Sequence, residues 1–311
     1  MDFAAETIGF LGLGAIGEPI ATRLSGGNHK LVVFDVRREA VELFTEVAEV
    51  AASPKAVGDR ADIVFSCLAS ADAHRDALLG PLGLIHGKRV RTYVNLGTTG
   101  ASLVRELGDA MEAHRIATVD APITGGVGRA RSGTLTTMAA GSRSAFDAAV
   151  PLMQLYASKI VWLGTRLGSA QVMKLVNNAV SFANLAAACE ALLVGAKSGL
   201  DPVAMLDVLN SGSGQNSATL MKIPSDILTG NFKFGGSLAI VIKDYKAFLE
   251  EAEALGIEPS IGQAVLKTYT AALALVSEAG DVTEVIRPME IAAGIELRKT
   301  RGQDLNGGTA C

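Results

Sequence analysis

The glycines near the start of the chain are spaced to bind a phosphate group. They form the pattern G-x-G-x-x-G in the stretch "IGFLGLGAIGEPIATRL", between an apolar run typical of a strand and a segment typical of a helix. In that context the first glycine makes a tight turn, the second admits a pyrophosphate, and the third lets the helix pack against the strand. A glycine turn without any ligand is the alternative. We predict a dinucleotide site formed by Gly12, Leu13, Gly14, Ala15, Ile16 and Gly17.

An acidic residue, Asp35, ends the next predicted strand and bears on the choice of cofactor. A carboxylate there can accept hydrogen bonds from the ribose hydroxyls of NAD and would repel the 2′-phosphate of NADP. Arg37 and Arg38 argue the other way, because guanidinium groups bind phosphate well, unless they simply begin a solvated helix. The pattern favours NAD as the cofactor, with NADP as the alternative.

A dinucleotide enzyme that moves a hydride to a carbonyl also needs a side chain that moves a proton. All four histidines lie in the first half of the chain, no tyrosine has the Tyr-x-x-x-Lys spacing, and the cysteines are too scattered to bind a catalytic zinc. Lys174 is the remaining candidate, with Asn178 one helical turn later on the same face. Burial among apolar neighbours would lower the pKa of Lys174. The alternative is that Lys174 is an ordinary surface lysine, which the spacing alone would allow equally well. The sequence predicts no metal site.

Strand and helix signals alternate through the first half of the chain. Apolar runs such as "KLVVFD", "DIVFSC" and "TYVNLG" are separated by helical periodicity, which predicts the α/β class with a doubly wound parallel sheet of the Rossmann type. After Gly164 the strand signals stop, and one helix of roughly 28 residues begins an all-α domain. We predict a dinucleotide-binding domain at 1–166, an all-helical domain at 167–299 and a disordered tail at 300–311.

The composition excludes several classes of function. The 311 residues are 49% hydrophobic and 19% charged with a net charge of -4, which indicates a compact globular protein that binds no nucleic acid. Asp2 and Glu6 argue against a signal sequence, and no uninterrupted apolar run has the length of a membrane span. Three widely separated cysteines indicate a reducing compartment, and we expect a cytoplasmic protein without membrane partners.

Four motifs, in order, resemble those of the 3-hydroxyisobutyrate dehydrogenase family, the β-hydroxyacid dehydrogenases. "GFLGLGAIGEPIA" is similar to the family's cofactor motif, and "DAPITGG", residues 120–126, is similar to its substrate loop. "GSAQVMKLVNN" resembles the family's catalytic helix, and "IKDYKAFLEEAEALG" resembles its late K-D motif. The likeness covers nearly the whole chain. It implies an NAD(P)-dependent dehydrogenase with a Rossmann domain and a helical domain, which assembles as a homodimer or homotetramer.

The resemblance implies a role for each matching residue. Lys174 would be the general acid and base, and Asn178 would hold Lys174 or a substrate hydroxyl. The turn of Thr124, Gly125 and Gly126 would bind the substrate carboxylate. Beyond the glycine motif, the residues that would contact the cofactor are Asp35, Arg37, Leu68, Thr98 and Lys243. Thr124 stands where the family usually has serine, and Ala170 where it commonly has glycine, so the substrate stays open.

Three hypotheses about function follow. The leading one is an NAD-dependent dehydrogenase that interconverts a small β-hydroxy acid and its semialdehyde. The alternative is an imine reductase on the same scaffold, although such enzymes usually carry another residue at the position of Lys174. The third is a non-catalytic dinucleotide sensor, a kind of family member that tends to lose the lysine. A 6-phosphogluconate dehydrogenase is not expected, because those enzymes are much longer and the predicted helical domain is too small.

Overall fold

The structure, a computed structural model, describes residues 7–27, 29–277 and 279–298. The chain divides into two compact units, Met1–Lys174 and Leu175–Cys311. This division falls within a long helix, a little after the boundary predicted at residue 166. The tail predicted at 300–311 lies outside the described residues.

Parallel strands form the main sheet of the first unit. They are β1 (Thr7–Leu11), β2 (Lys30–Phe34), β3 (Glu49–Val50), β4 (Ile63–Ser66), β5 (Thr92–Asn95) and β6 (Ala117–Asp120). Their spatial order is β3-β2-β1-β4-β5-β6, so the direction of winding reverses between β1 and β4. Such a switch point is where sheets of this type bind ligands. The strands are continuous apolar runs because both faces are covered: Phe10 of β1 packs in one core and Leu11 in another.

Helices alternate with the strands along the first unit. They are α1 (Gly17–Ser25), α2 (Arg38–Glu42), α3 (Pro54–Gly58), α4 (Ala71–Leu79), α5 (Ala101–Ala113), α6 (Gly126–Ser132) and α7 (Arg143–Met153), with a 3₁₀ helix at Leu84–His86. Serine side chains cap the first turns of α3, α4 and α7. No side chain caps α1, so the N–H groups at its start can serve a ligand.

Beyond β6 the sheet is mixed. It continues through β7 (Ile123–Thr124), β8 (Leu135–Gly141) and β9 (Ala157–Trp162). Strand β8 runs antiparallel to both β6 and β7, and parallel to β9. The predicted α/β class with a Rossmann-type strand order is confirmed, and the antiparallel pairs at this edge are an addition that the sequence analysis did not predict.

The second unit is helical, as predicted. Its elements are α8 (Ser169–Lys197), which begins in the first unit, α9 (Pro202–Ser211), a π-helix at Ala218–Ile227, α10 (Leu238–Ala254), α11 (Ser260–Leu275), a 3₁₀ helix at Val282–Ile286 and α12 (Arg287–Ala293). The Asp201 side chain accepts the N–H of Ala204 at 2.9 Å and so starts α9. Leu185 and Cys189 of α8 lie fully buried in the core of this unit, together with Tyr269 of α11.

Helix α8 has the length and hydropathy of a membrane-spanning helix. Two observations favour a core helix instead: Leu185 and Leu192 are buried in the core of the second unit, and Asn178 and Glu190 interrupt its apolar sequence. The opposite face exposes Val176, Val180 and Val194. An apolar face of this kind suits the homo-oligomer predicted from the sequence, whose state stays a prediction.

Candidate active site

The predicted ligand-binding residues of the first unit follow the carboxyl ends of neighbouring strands. The pairing register places the last residues of five strands side by side: Leu11, Phe34, Ser66, Asn95 and Asp120. Each of these ends is followed, within four positions, by at least one residue predicted to bind a ligand: Gly12, Asp35, Leu68, Thr98 and Thr124, respectively. Parallel strands thus bring to one edge of the sheet five residues that are far apart in sequence.

The three motif glycines have the environments that a bound pyrophosphate requires. Gly12 has φ +91°, and a Cβ there would lie 2.5 Å from the carbonyl oxygen of Cys67 and 2.8 Å from Leu68. A Cβ on Gly17 would overlap the carbonyl oxygen of Gly12. Gly14 differs, because a Cβ there would meet no protein atom within 4 Å. The turn is therefore closed where helix meets strand and open where a phosphate would approach, which fits a dinucleotide.

The Asp35 carboxylate ties the glycine turn to the second strand. It accepts the backbone N–H of Leu13 at 2.6 Å and that of Arg37 at 2.8 Å. Burial would raise the pKa of Asp35, but the hydrogen bonds from Arg37 and Leu13 outweigh it and hold the pKa below its usual value. The Arg37 guanidinium also donates to the carbonyl oxygen of Leu13 at 3.1 Å. Arg38 instead forms an ion pair with Glu42, one turn later in α2, at 3.1 Å. An ionised carboxylate and one guanidinium thus lie together beside the turn.

We expect Arg37→Ala to reduce kcat/KM with NADP about tenfold more than with NAD, because a guanidinium beside the carboxylate predicted to bind the ribose can neutralise a 2′-phosphate. Initial rates with both cofactors measure the ratio. Arg38→Ala is the matched control and should leave the ratio unchanged. An equal loss with both cofactors would mean that Arg37 only supports the backbone of Leu13.

Thr98 lies in a loop that Gln171 fastens to the start of α8. The Gln171 side-chain oxygen accepts the N–H groups of Thr99 at 2.8 Å and Gly100 at 3.1 Å. Its side-chain nitrogen donates to the carbonyl oxygen of Gly97 at 3.0 Å. All these bonds lie within the first unit, and Gln171 is fully buried. The loop predicted to contact the cofactor is therefore fixed to the helix that carries Lys174.

Asp120 completes this connection from the end of β6. Its carboxylate accepts the Gln171 side chain at 2.6 Å and the backbone N–H groups of Gly168 and Gln171 at 3.2 and 3.3 Å. Burial raises the pKa of Asp120 to about 6, against the lowering effect of these bonds. Acting from a different element, Asp120 satisfies N–H groups at the N-terminus of α8. It fixes the position of the helix turn that contains Lys174.

The predicted carboxylate-binding turn follows β6 directly. Thr124 ends β7, and the next two residues adopt positive φ, +133° at Gly125 and +74° at Gly126. Both glycines are exposed, and a Cβ on Gly126 would meet no atom within 4 Å. A side chain would be strained at either position, so the sequence has glycine at both, and the space beside the backbone is open at Gly126. Exposed backbone N–H groups in such a turn can bind a carboxylate.

In the second unit the structure brings Asn178 together with the K-D motif. Asn178 is 9% exposed, and its side-chain nitrogen donates to Asp244 Oδ2 at 2.7 Å. Asp244 is 3% exposed, and its Oδ1 lies 3.4 Å from the ammonium of Lys243. The amide of Asn177 donates to Asn178 Oδ1 at 3.1 Å. Asn178 is thus held in one orientation. Lys174, half-buried, lies one turn before it on α8.

Two family descriptions together match nearly the whole chain. Residues 7–164 match the NAD binding domain of 6-phosphogluconate dehydrogenase, and residues 168–289 match the NAD-binding domain of NADP-dependent 3-hydroxyisobutyrate dehydrogenase. The mitochondrial 3-hydroxyisobutyrate dehydrogenase of Mus musculus is 32% identical over 76% of this chain and 73% of its own length.

The chain belongs to the 3-hydroxyisobutyrate dehydrogenase family.

Two further relatives extend this finding. The 2-(hydroxymethyl)glutarate dehydrogenase of Eubacterium barkeri is 27% identical and covers 93% of this chain and 97% of its own. The structure of the Mycobacterium tuberculosis 3-hydroxyisobutyrate dehydrogenase with L-serine has a TM-score of 0.81 and 26% identity, over 92% of this chain and 99% of the other. The protein is therefore an NAD(P)-dependent oxidoreductase that acts on CH–OH donors, as predicted.

For this member of the 3-hydroxyisobutyrate dehydrogenase family, sequence analysis assigned no role to Gln171, Asp120 or Asp244. All three residues lie inside the motifs that resemble those of the family. Their closeness in sequence to residues with predicted roles was the only signal that could have identified them. Their contacts with other elements span 48 to 74 residues of sequence, which no local pattern reveals. Among the described residues, no group of three His, Cys, Asp or Glu side chains could hold a metal ion.

Proposed function

We propose that the protein oxidises alcohols of the form HOCH₂–CHR–COO⁻ to their semialdehydes with NAD, and reduces the semialdehydes in reverse. Its relatives support this class, because 3-hydroxyisobutyrate, 2-(hydroxymethyl)glutarate and the L-serine of the bacterial structure all contain HOCH₂–CH–COO⁻. The turn at Thr124–Gly126 carries the proposal. Both glycines have positive φ and are exposed, and the space beside Gly126 is open, which suits the carboxylate common to all three compounds.

The cofactor would be held by the first unit. The open backbone at Gly14 and the uncapped start of α1 suit the pyrophosphate, and the ionised Asp35 carboxylate suits the ribose hydroxyls of NAD. Leu68 and Thr98 follow neighbouring strands at the same edge of the sheet. A bound NAD would supply the hydride acceptor for the oxidation, and NADH the hydride donor for the reduction.

Lys174 would move the proton. In oxidation its neutral amine takes the proton of the substrate hydroxyl, and in reduction its ammonium donates a proton to the forming alkoxide. Between these steps the ammonium stabilises negative charge on that oxygen. Asn178 would bind the same hydroxyl or hold Lys174, in the orientation that Asp244 fixes.

A panel of alcohols tests this function. Initial rates with NAD and NADP would be measured on 3-hydroxyisobutyrate, 3-hydroxypropionate, L-serine and matching alcohols without a carboxylate. We expect turnover of at least one acid and none of the carboxylate-free alcohols, because the latter cannot bind the Thr124–Gly126 turn. Turnover of cyclic imines alone would show an imine reductase. Cofactor binding without turnover of any compound would show a sensor.

A further inference from the structure

A second lysine, Lys222, is buried in the helical unit and has no role in the proposed chemistry. It lies in the π-helix at Ala218–Ile227, and only 6% of its surface is exposed. Its ammonium lies 3.3 Å from the hydroxyl of Ser181 and 5.2 Å from the centre of the Phe234 ring. The segment "NSGSGQNSATL" leads into this helix.

The surroundings of Lys222 compensate its charge only in part. Within the part of the chain that the structure describes, its ammonium forms no ion pair with a carboxylate. Asp226, one turn later in the same helix, instead accepts hydrogen bonds from the hydroxyl of Ser225 and the backbone N–H of Lys233. A buried ammonium without a counter-ion is costly, and burial lowers the pKa of Lys222. A methionine or leucine would fill the same space without that cost. The charge at this position therefore indicates that Lys222 binds an anionic group.

Ser181 connects Lys222 to the proposed catalytic side chains. Lys174, Asn178 and Ser181 follow one another at spacings of four and three residues, and therefore lie along one face of α8. Seven residues correspond to about 10 Å along the helix axis. Asp244, the carboxylate in contact with this row at Asn178, is already paired with Lys243. The row therefore begins at Lys174, the lysine proposed to move the proton, and ends at Ser181, which contacts the second lysine, Lys222.

We propose that Lys222, with Ser181 and the ring of Phe234, binds a carboxylate on the substituent R of the substrate HOCH₂–CHR–COO⁻. The preferred substrates are then hydroxy acids with a second acidic group several bonds from the alcohol. Phe234 is 37% exposed and Ser181 is half-buried, so both groups that contact the ammonium are themselves partly open to solvent. This inference rests on the proposed function for the position of the alcohol.

Substrate preference tests the inference directly. For wild type and Lys222→Met, kcat/KM would be measured on 2-(hydroxymethyl)glutarate and on 3-hydroxyisobutyrate. We expect the wild type to prefer the diacid and Lys222→Met to lower the diacid-to-monoacid ratio by about tenfold or more, because one charge-assisted contact is lost. Lys222→Arg keeps the charge and should restore part of the ratio. Lys267→Met, which removes an exposed lysine of α11, is the control and should leave the ratio unchanged.

A binding measurement separates this inference from the proposed function. Glutarate should raise the melting temperature of the NAD-loaded protein more than butyrate does, and Lys222→Met should abolish the difference. An unchanged diacid-to-monoacid ratio and an unchanged glutarate shift in Lys222→Met would overturn the inference, with turnover of monoacids leaving the proposed function standing. If the wild type turned over no hydroxy acid, the proposed function would fail, and the glutarate shift would still decide whether Lys222 binds a carboxylate.

Discussion

Lys174→Ala should lower kcat/KM for the oxidation of the best hydroxy acid by about a hundredfold or more, which is the usual contribution of a positioned general base. Alanine can neither take the hydroxyl proton nor stabilise the alkoxide. The affinity for NADH should change little, because the glycine turn and Asp35, which are proposed to bind the cofactor, are unaltered. Steady-state rates and a fluorescence titration with NADH measure the two quantities.

Lys197→Ala is the matched control for Lys174→Ala. Lys197 ends the same helix and donates to the carbonyl oxygen of Ala293 at 2.7 Å, on the protein surface. Its loss should change the rate by less than about twofold. A single exposed hydrogen bond contributes little to stability, so the Lys197→Ala protein should keep the fold of the wild type. If Lys174→Ala kept most of the wild-type rate while binding NADH normally, another group would have to move the proton.

The sequence predicted the class of the fold well because the main signals are local. Strand β1 and the glycine turn are contiguous, and the helix α8 was predicted at roughly its observed length from the loss of strand signals and from helical periodicity. Strand β8 was missed because its sequence, "LTTMAAG", is rich in alanine and threonine and has no clear alternation. Strand β3 has only two residues, too few for any periodicity.

The candidate site was predictable only where one motif contains its own geometry. Gly12, Gly14 and Gly17 lie within six residues of one another, and the structure shows a positive φ at Gly12, open space at Gly14 and close packing at Gly17. Gln171 and Asp120 act through contacts between a loop, a strand end and a helix that are distant in sequence. Nothing in the sequence around Gln171 shows that its side chain meets the loop of Thr98. Such residues become apparent only after the sheet has brought the segments together.

Lys222 illustrates a different limit. A lysine is ordinarily exposed, and no motif in the sequence around Lys222 predicts that this one is buried. Its burial depends on the π-helix, in which Pro224 has no N–H to donate to the preceding turn. The contact with Ser181 spans 41 residues. The charge of Lys222 could be read from the sequence, whereas its burial and its neighbours could not.

The second large effect is expected at the glycine turn, where two substitutions should have opposite consequences. Gly17→Ala should destabilise the protein by about 3 kcal/mol, because the new methyl group would overlap the carbonyl oxygen of Gly12 and backbone atoms must move. Gly14→Ala should fold as well as the wild type, because its methyl group meets no protein atom within 4 Å. Urea denaturation without cofactor measures both free energies of unfolding.

The same pair separates a cofactor site from a purely structural turn. If the open space at Gly14 is where the pyrophosphate approaches, the methyl group of Gly14→Ala should raise the Kd for NADH by about tenfold or more in a protein of normal stability. In Gly17→Ala, weaker NADH binding should accompany the lower stability, because the displaced turn no longer presents its N–H groups. A Gly14→Ala protein that bound NADH with wild-type affinity would place the pyrophosphate elsewhere. Stability and NADH affinity should therefore both fall in Gly17→Ala, whereas only the affinity should fall in Gly14→Ala. A structural turn without a ligand would not produce this difference.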